Sequence, residues 1–127
     1  MNDLELKYYA HPKMQEKFRE AMGIPIAGDR LYMDRQGLGI YHSNGLVYFQ
    51  ITAYAFRLID ERFIRLPLPI DPVNPERGLW SMVDWEKFFV RIRNSGKINI
   101  QYQDFVVEDY PTLALLKALA YQWGVEI

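Results

Sequence analysis

Catalysis in this chain would have to be built from two histidines, three serines and a scatter of carboxylates, because it contains no cysteine. The lack of cysteine removes disulfides, thiolate zinc sites and thiol nucleophiles together. His11 stands just before an expected helix and His42 just before a turn. No His-x-x-x-His or paired His and carboxylate occurs, so both read as caps or solvated side chains and no metal site is expected. Ser43, Ser81 and Ser95 all lie outside a G-x-S-x-G elbow. Gly37-Leu38-Gly39 lacks the further glycine or the GK[ST] lysine of a phosphate cradle. Asp71, Glu76, Asp84 and Glu86 could act as acid and base, or hold Mg²⁺, if two of them converged. They flank turn-forming prolines or precede a strand, where aspartate more often satisfies backbone N–H groups. The expectation is a protein without catalytic residues, cofactor or metal.

Binding chemistry is better represented. Arg65 to Gly78 carries Pro67, Pro69, Pro72 and Pro75, which forbid both a helix and a central strand. Each proline also pushes the residue before it into extended geometry, so a stiff, PPII-like connection is expected. Such a segment loses little entropy on docking. Beside it stand Arg77, Trp80 and Trp85, residue types that often dominate interfaces. Asp71 and Asn74 would shape the loop. These five residues form the candidate binding site. The alternative is structural: the two tryptophans cover a sheet and Arg77 bonds loop carbonyls.

A second binding reading rests on Tyr32, Tyr41, Tyr48 and Tyr102 together with Arg91 and Arg93. Aromatic platforms stack nucleobases, so a nucleotide or single-stranded nucleic acid is the alternative ligand. A net charge of −1 and an isoelectric point near 6.1 supply no bulk attraction for phosphate. Arg91, Arg93 and Lys97 could still form a local patch, or simply protect a strand edge.

The elements that must position these residues follow from periodicity. At 127 residues, half of them apolar, the chain is long enough for one domain, residues 1–127, with a core of its own. Pro12 to Met22 reads as a helix: Pro12 opens it, Met14, Phe18, Ala21 and Met22 make one stripe, and Gly23 and Pro25 end it. Short strands are expected at Arg30–Met33, Gly39–His42 and Leu46–Thr52, with Asn44-Gly45 as the first hairpin turn. The third strand is expected to continue to about Tyr54, before an irregular or short helical passage towards Phe63. Phe88–Ile92 and Ile98–Tyr102 alternate around Asn94-Ser95-Gly96-Lys97, the firmest hairpin pattern in the chain. Phe105–Glu108 adds a strand. Pro111–Trp123 is an apolar terminal helix ended by Gly124. Its expected core partners are Val90, Ile92, Ile98 and Ile100. The fold class is therefore α+β, a small antiparallel β-sheet with N-terminal and C-terminal helices packed on it.

The run Arg65 to Trp85, the opening Met14 to Pro25 and the segment Pro111 to Ala120 resemble small prophage-encoded proteins of unassigned function. The resemblance implies a phage setting and carries no activity. Together with the stiff loop it suggests a non-catalytic phage accessory protein that binds a host or phage protein, such as an inhibitor of a bacterial defence system. The polar start Met1–Glu5 and the absence of any long apolar run suggest a cytoplasmic protein without membrane partners. Strand edges and exposed aromatics would allow two copies to pair as a homodimer.

Overall fold

The structure, a computed structural model, describes residues 2–58 and 63–127. Two helices open the chain, α1 (Asp3–Ala10) and α2 (Pro12–Met22). The second has the expected bounds. His11 caps it by accepting from the Lys13 N–H at 3.1 Å, and Gly23, at φ 70°, closes it. The first was not expected, because its apolar residues mark no clean stripe and only Tyr9 is buried. Its signal is local: Asn2 caps the helix by accepting from the Glu5 N–H at 2.7 Å, and its side-chain amide donates to the Glu5 carboxylate at 3.3 Å.

Among the described residues the strands form two antiparallel sheets where one was expected. The first runs β4-β3-β2-β1-β5, built from β1 (Arg30–Met33), β2 (Gly37–Tyr41), β3 (Leu46–Phe49), β4 (Ala55–Arg57) and β5 (Ile64–Arg65). β3 stops at Phe49 and does not reach Thr52 or Tyr54. The chain turns there, with Ala53 at φ 59°, and β4 returns along β3 with Val47 opposite Phe56. The remainder of the expected helical passage falls on residues 59–62, outside the described residues. Gly39 is held to glycine by packing: a Cβ there would lie 2.6 Å from the Val47 side chain.

The second sheet is β6 (Phe89–Ile92), β7 (Ile98–Tyr102) and β8 (Phe105–Asp109), in that order, with Val90 opposite Ile100 and Ile100 opposite Val107. A short helix, α3 (Leu79–Met82), precedes it and α4 (Pro111–Gln122) follows it.

α4 is the centre of the main core. Leu113–Leu116 and Ala118–Ala120 are all buried. A helix apolar on nearly every side needs cover on nearly every side. Ile98, Ile100 and Val107 supply it from the sheet; Tyr9, Met14 and Phe18 supply it from α1 and α2. Leu31, Val47, Phe49 and Phe63 form a separate small cluster on the first sheet. Three of the four strand residues expected in the core with α4 join it, Ile98, Ile100 and Val90. Val90 is half-buried, and Ile92 is 79 % exposed. The reason is placement: α4 packs over β7 and β8, leaving the edge strand β6 outside its footprint.

Leu116 is fully buried. Leu116→Ala should therefore lower unfolding stability by roughly 2–5 kcal/mol, read from the midpoint of urea denaturation at unchanged slope.

Candidate functional site

The proline segment is a strap laid across α1, α2 and β1. Its prolines lack N–H groups, so the strap is rich in carbonyl acceptors and poor in donors. The missing donors come from side chains of other elements. Tyr9 of α1 donates its hydroxyl to the Pro67 carbonyl at 2.8 Å. Gln15 of α2 donates to the Arg65 carbonyl at 2.9 Å and accepts from the Arg65 N–H at 2.8 Å. Arg30 of β1 donates to the Leu66 carbonyl at 3.2 Å. Beyond the prolines, the Leu79 and Trp80 N–H groups reach back to the Leu68 and Pro69 carbonyls at 2.8 and 2.9 Å. The strap thus folds on itself, and Gly78 sits where it doubles back: a Cβ there would lie 2.9 Å from the Asp71 nitrogen.

Each of the five candidate binding residues has a definite place in this arrangement. Asp71 accepts from the Val73 and Asn74 N–H groups at 3.0 and 2.9 Å, a local turn of the kind aspartate favours. Asn74 precedes the 3-10 turn Pro75–Arg77 and accepts from the Arg77 N–H at 2.9 Å. Arg77 points inward and is only 6 % exposed. Its guanidinium donates to the Met22 carbonyl at the C-terminus of α2 and pairs with the Asp29 carboxylate. A cation at a helix C-terminus also meets the negative end of the helix dipole. Its Nε has no hydrogen-bond partner among the described residues, so the two terminal nitrogens hold the group. Trp80 and Trp85 pack together, their rings tilted by 36° with centres 4.4 Å apart, and Trp85 Nε1 donates to the Trp80 carbonyl at 2.8 Å. Both are partly buried against the main core. The strap brings Asp71, Asn74 and Arg77 together, whereas the tryptophan pair braces its far end.

Residues that composition did not single out stand on the outside of the strap. Ile70 is 65 % exposed and Val73 80 % exposed. Val73, Asn74, Asp71 and Leu68 line one wall of a groove of about 250 Å³, and Ile26 to Asp29 line the other. Their signal was the pairing of aliphatics with prolines, Pro69-Ile70 and Pro72-Val73, in a segment too stiff to tuck them inward.

The aromatic platform of the nucleotide reading is not assembled. Tyr32 packs against the main core and Tyr41 against the small cluster of the first sheet. Tyr102 lies on the other sheet, among Phe88 and Tyr121. Arg91 and Arg93 belong to β6, where Arg93 pairs with Glu108 at 2.9 Å. Two of the acidic residues serve backbone turns. Asp71 serves its own turn, and Asp84 accepts from the Glu86 N–H at 3.1 Å. Among the described residues no three His, Asp or Glu side chains gather as a metal site, and no helix is long and apolar enough to cross a membrane.

Comparison with family models, with curated proteins and with solved structures finds no match. The reading of the site therefore rests on its own geometry.

Two measurements probe the strap. Arg77→Ala leaves the Asp29 carboxylate buried without its partner and should cost about 3–5 kcal/mol of stability by urea denaturation. Tyr9 tests the other anchor. Burial, the largest influence on it, pushes its phenol up from 10.0 to about 12. The folded state thus holds the neutral form. That stability is complete below pH 10 and is lost as pH rises towards 12, by roughly 2–3 kcal/mol. Tyr9→Phe should be less stable at neutral pH, by about 1–3 kcal/mol for the unpaired Pro67 carbonyl. It should also lose stability less steeply across the alkaline range, as read by urea midpoints at several pH values.

Proposed function

We propose that this chain is a non-catalytic protein that captures another protein through the apolar crest of its proline strap. The supporting observation is that Ile70 and Val73 stand in solvent on a backbone held at both ends, by side chains from α1, α2 and β1 at its start and by Arg77 bonded to α2 at its end. Exposed aliphatics on a mobile loop would have to be ordered on binding. Here that entropy has already been spent in folding. The groove between Val73 and Ile26 offers an extended partner segment a place for one apolar side chain. In this reading Asp71, Asn74 and Arg77 shape the strap from within, and Trp80 and Trp85 hold its end against the core.

We propose a phage setting as well, from the sequence reading of the strap and of the α2 and α4 segments alone. It fits an accessory protein acting on a host or phage protein in the cytoplasm, with inhibition of a bacterial defence system among the roles open to it.

The test is affinity capture from host and infected-cell extracts with the wild-type protein and with an Ile70→Asp/Val73→Asp variant. Neither side chain is in the core, so the variant should keep the wild-type melting temperature. A partner retained by the wild type and lost by the variant is the expected result. Equal capture by both proteins would remove the crest as the contact. Stabilisation by several degrees with one member of a nucleotide panel would favour the ligand-binding alternative.

A further inference from the structure

The free side of β6 carries a self-complementary edge. β6 pairs only with β7 among the described residues, and Phe89, Arg91 and Ile92 are exposed. Its register decides which backbone groups are left over. The Arg93 N–H donates to the Lys97 carbonyl at 2.9 Å, so residue 93 faces β7. Antiparallel ladders alternate. Arg91 and Phe89 therefore also face β7, opposite Asn99 and Gln101, while the N–H and C=O groups of Val90 and Ile92 point away from the sheet. An edge with unpaired groups and exposed apolar side chains is a template for another strand. Nature commonly blunts such edges with charge; this one carries its charge on one face only, at Arg91 and Arg93.

That charge selects both the occupant and the register. We propose that β6 pairs antiparallel with β6 of a second copy, centred on Val90, to form a continuous six-stranded sheet. Centring on Arg91 would set the two Arg91 side chains directly opposite each other, which is unfavourable. Centring on Ile92 would set each Arg91 against Arg93 of the other copy. Centring on Val90 sets each Arg91 against Phe89 of the second copy. Arg91 already lies over its own Phe89 ring, its guanidinium carbon 5.5 Å from the ring centre, so the contact across the dimer extends a cation–π arrangement that the strand itself displays. Val90 meets Val90. Ile92, left bare by α4, comes to lie beside Phe88 of the second copy. The Val90 N–H donates to the Val90 carbonyl and the Ile92 N–H to the Phe88 carbonyl, each reciprocated by symmetry. The Phe88 N–H is not needed: it donates to the Asp84 carbonyl within its own chain. The strap lies elsewhere on the chain, so this surface does not depend on the proposed partner site.

The chain contains no cysteine, which makes the register directly measurable. In the Val90-centred pairing, Phe89 and Arg91 of opposite copies form non-hydrogen-bonded pairs, with Cα atoms about 4.5 Å apart, within disulfide range. An equimolar mixture of Phe89→Cys and Arg91→Cys proteins should oxidise to a covalent heterodimer in high yield, and neither variant alone should do so. Cross-linking of Arg91→Cys with itself, or no cross-linking in the mixture, would overturn the proposal. Sedimentation velocity of the wild-type protein should show mass rising from one chain towards two as concentration increases. Val90→Pro removes an outward N–H that the monomer does not use, so it should remain monomeric with an unchanged far-UV circular dichroism spectrum. A wild type that stays monomeric at every concentration would also overturn the proposal.

Discussion

Four prolines between residues 67 and 75 leave a length of backbone with carbonyls to satisfy and few N–H groups with which to satisfy them. Secondary structure cannot resolve that imbalance, because helix and sheet both need the donor that proline lacks. The chain resolves it with side chains. Tyr9, Gln15 and Arg30 each bring a donor from a different element to a carbonyl at the start of the strap. Arg77 works in the opposite direction, from the strap to the last turn of α2 and to Asp29. The two helices, the first sheet and the strap are thereby tied by polar contacts, several of them buried. Losing one leaves an unsatisfied group, which costs more than the contact contributes when made.

The apolar half of the structure follows different rules. α4 is covered by β7 and β8 on one side and by α1 and α3 on others, with Met14 and Phe18 of α2 in the same core. Its burial needs no directional partner, only surface of about the right shape. The polar strap and the apolar core meet at Tyr9 and Leu66. Tyr9 lies in the main cluster with Phe18, 6.0 Å between ring centres, while its hydroxyl serves Pro67. That one side chain joins the two kinds of cohesion, and its raised phenol pKa is the electrostatic sign of the same position.

Much of the fold was legible. The α2 bounds, the Asn44-Gly45 turn, the β6–β7 hairpin and α4 follow from capping residues, turn chemistry and period-two alternation, all of which act over a few residues. α1 escaped because its evidence was a cap, Asn2 with Glu5, and not a stripe. The tight turn after Phe49 escaped because Ala53 adopts a positive φ with no glycine to announce it. At the candidate site, composition drew attention to Arg77, Trp80 and Trp85. Their size and charge are equally suited to contact and to scaffolding, and a count of residue types does not distinguish the two. The exposed Ile70 and Val73 carry a weaker marker, their place beside Pro69 and Pro72, since an aliphatic residue in a sequence ordinarily reads as core.

By itself the sequence determined the local elements, the stiffness of the proline segment and the lack of cysteine chemistry, because each depends on the covalent character of residues near one another in the chain. Tertiary structure alone decided that the strands divide into two sheets, that Arg77 turns inward to Asp29, and that Ile92 lies outside the reach of α4. Those outcomes depend on which distant surfaces meet, and burial is assigned only once every element has been placed against the others.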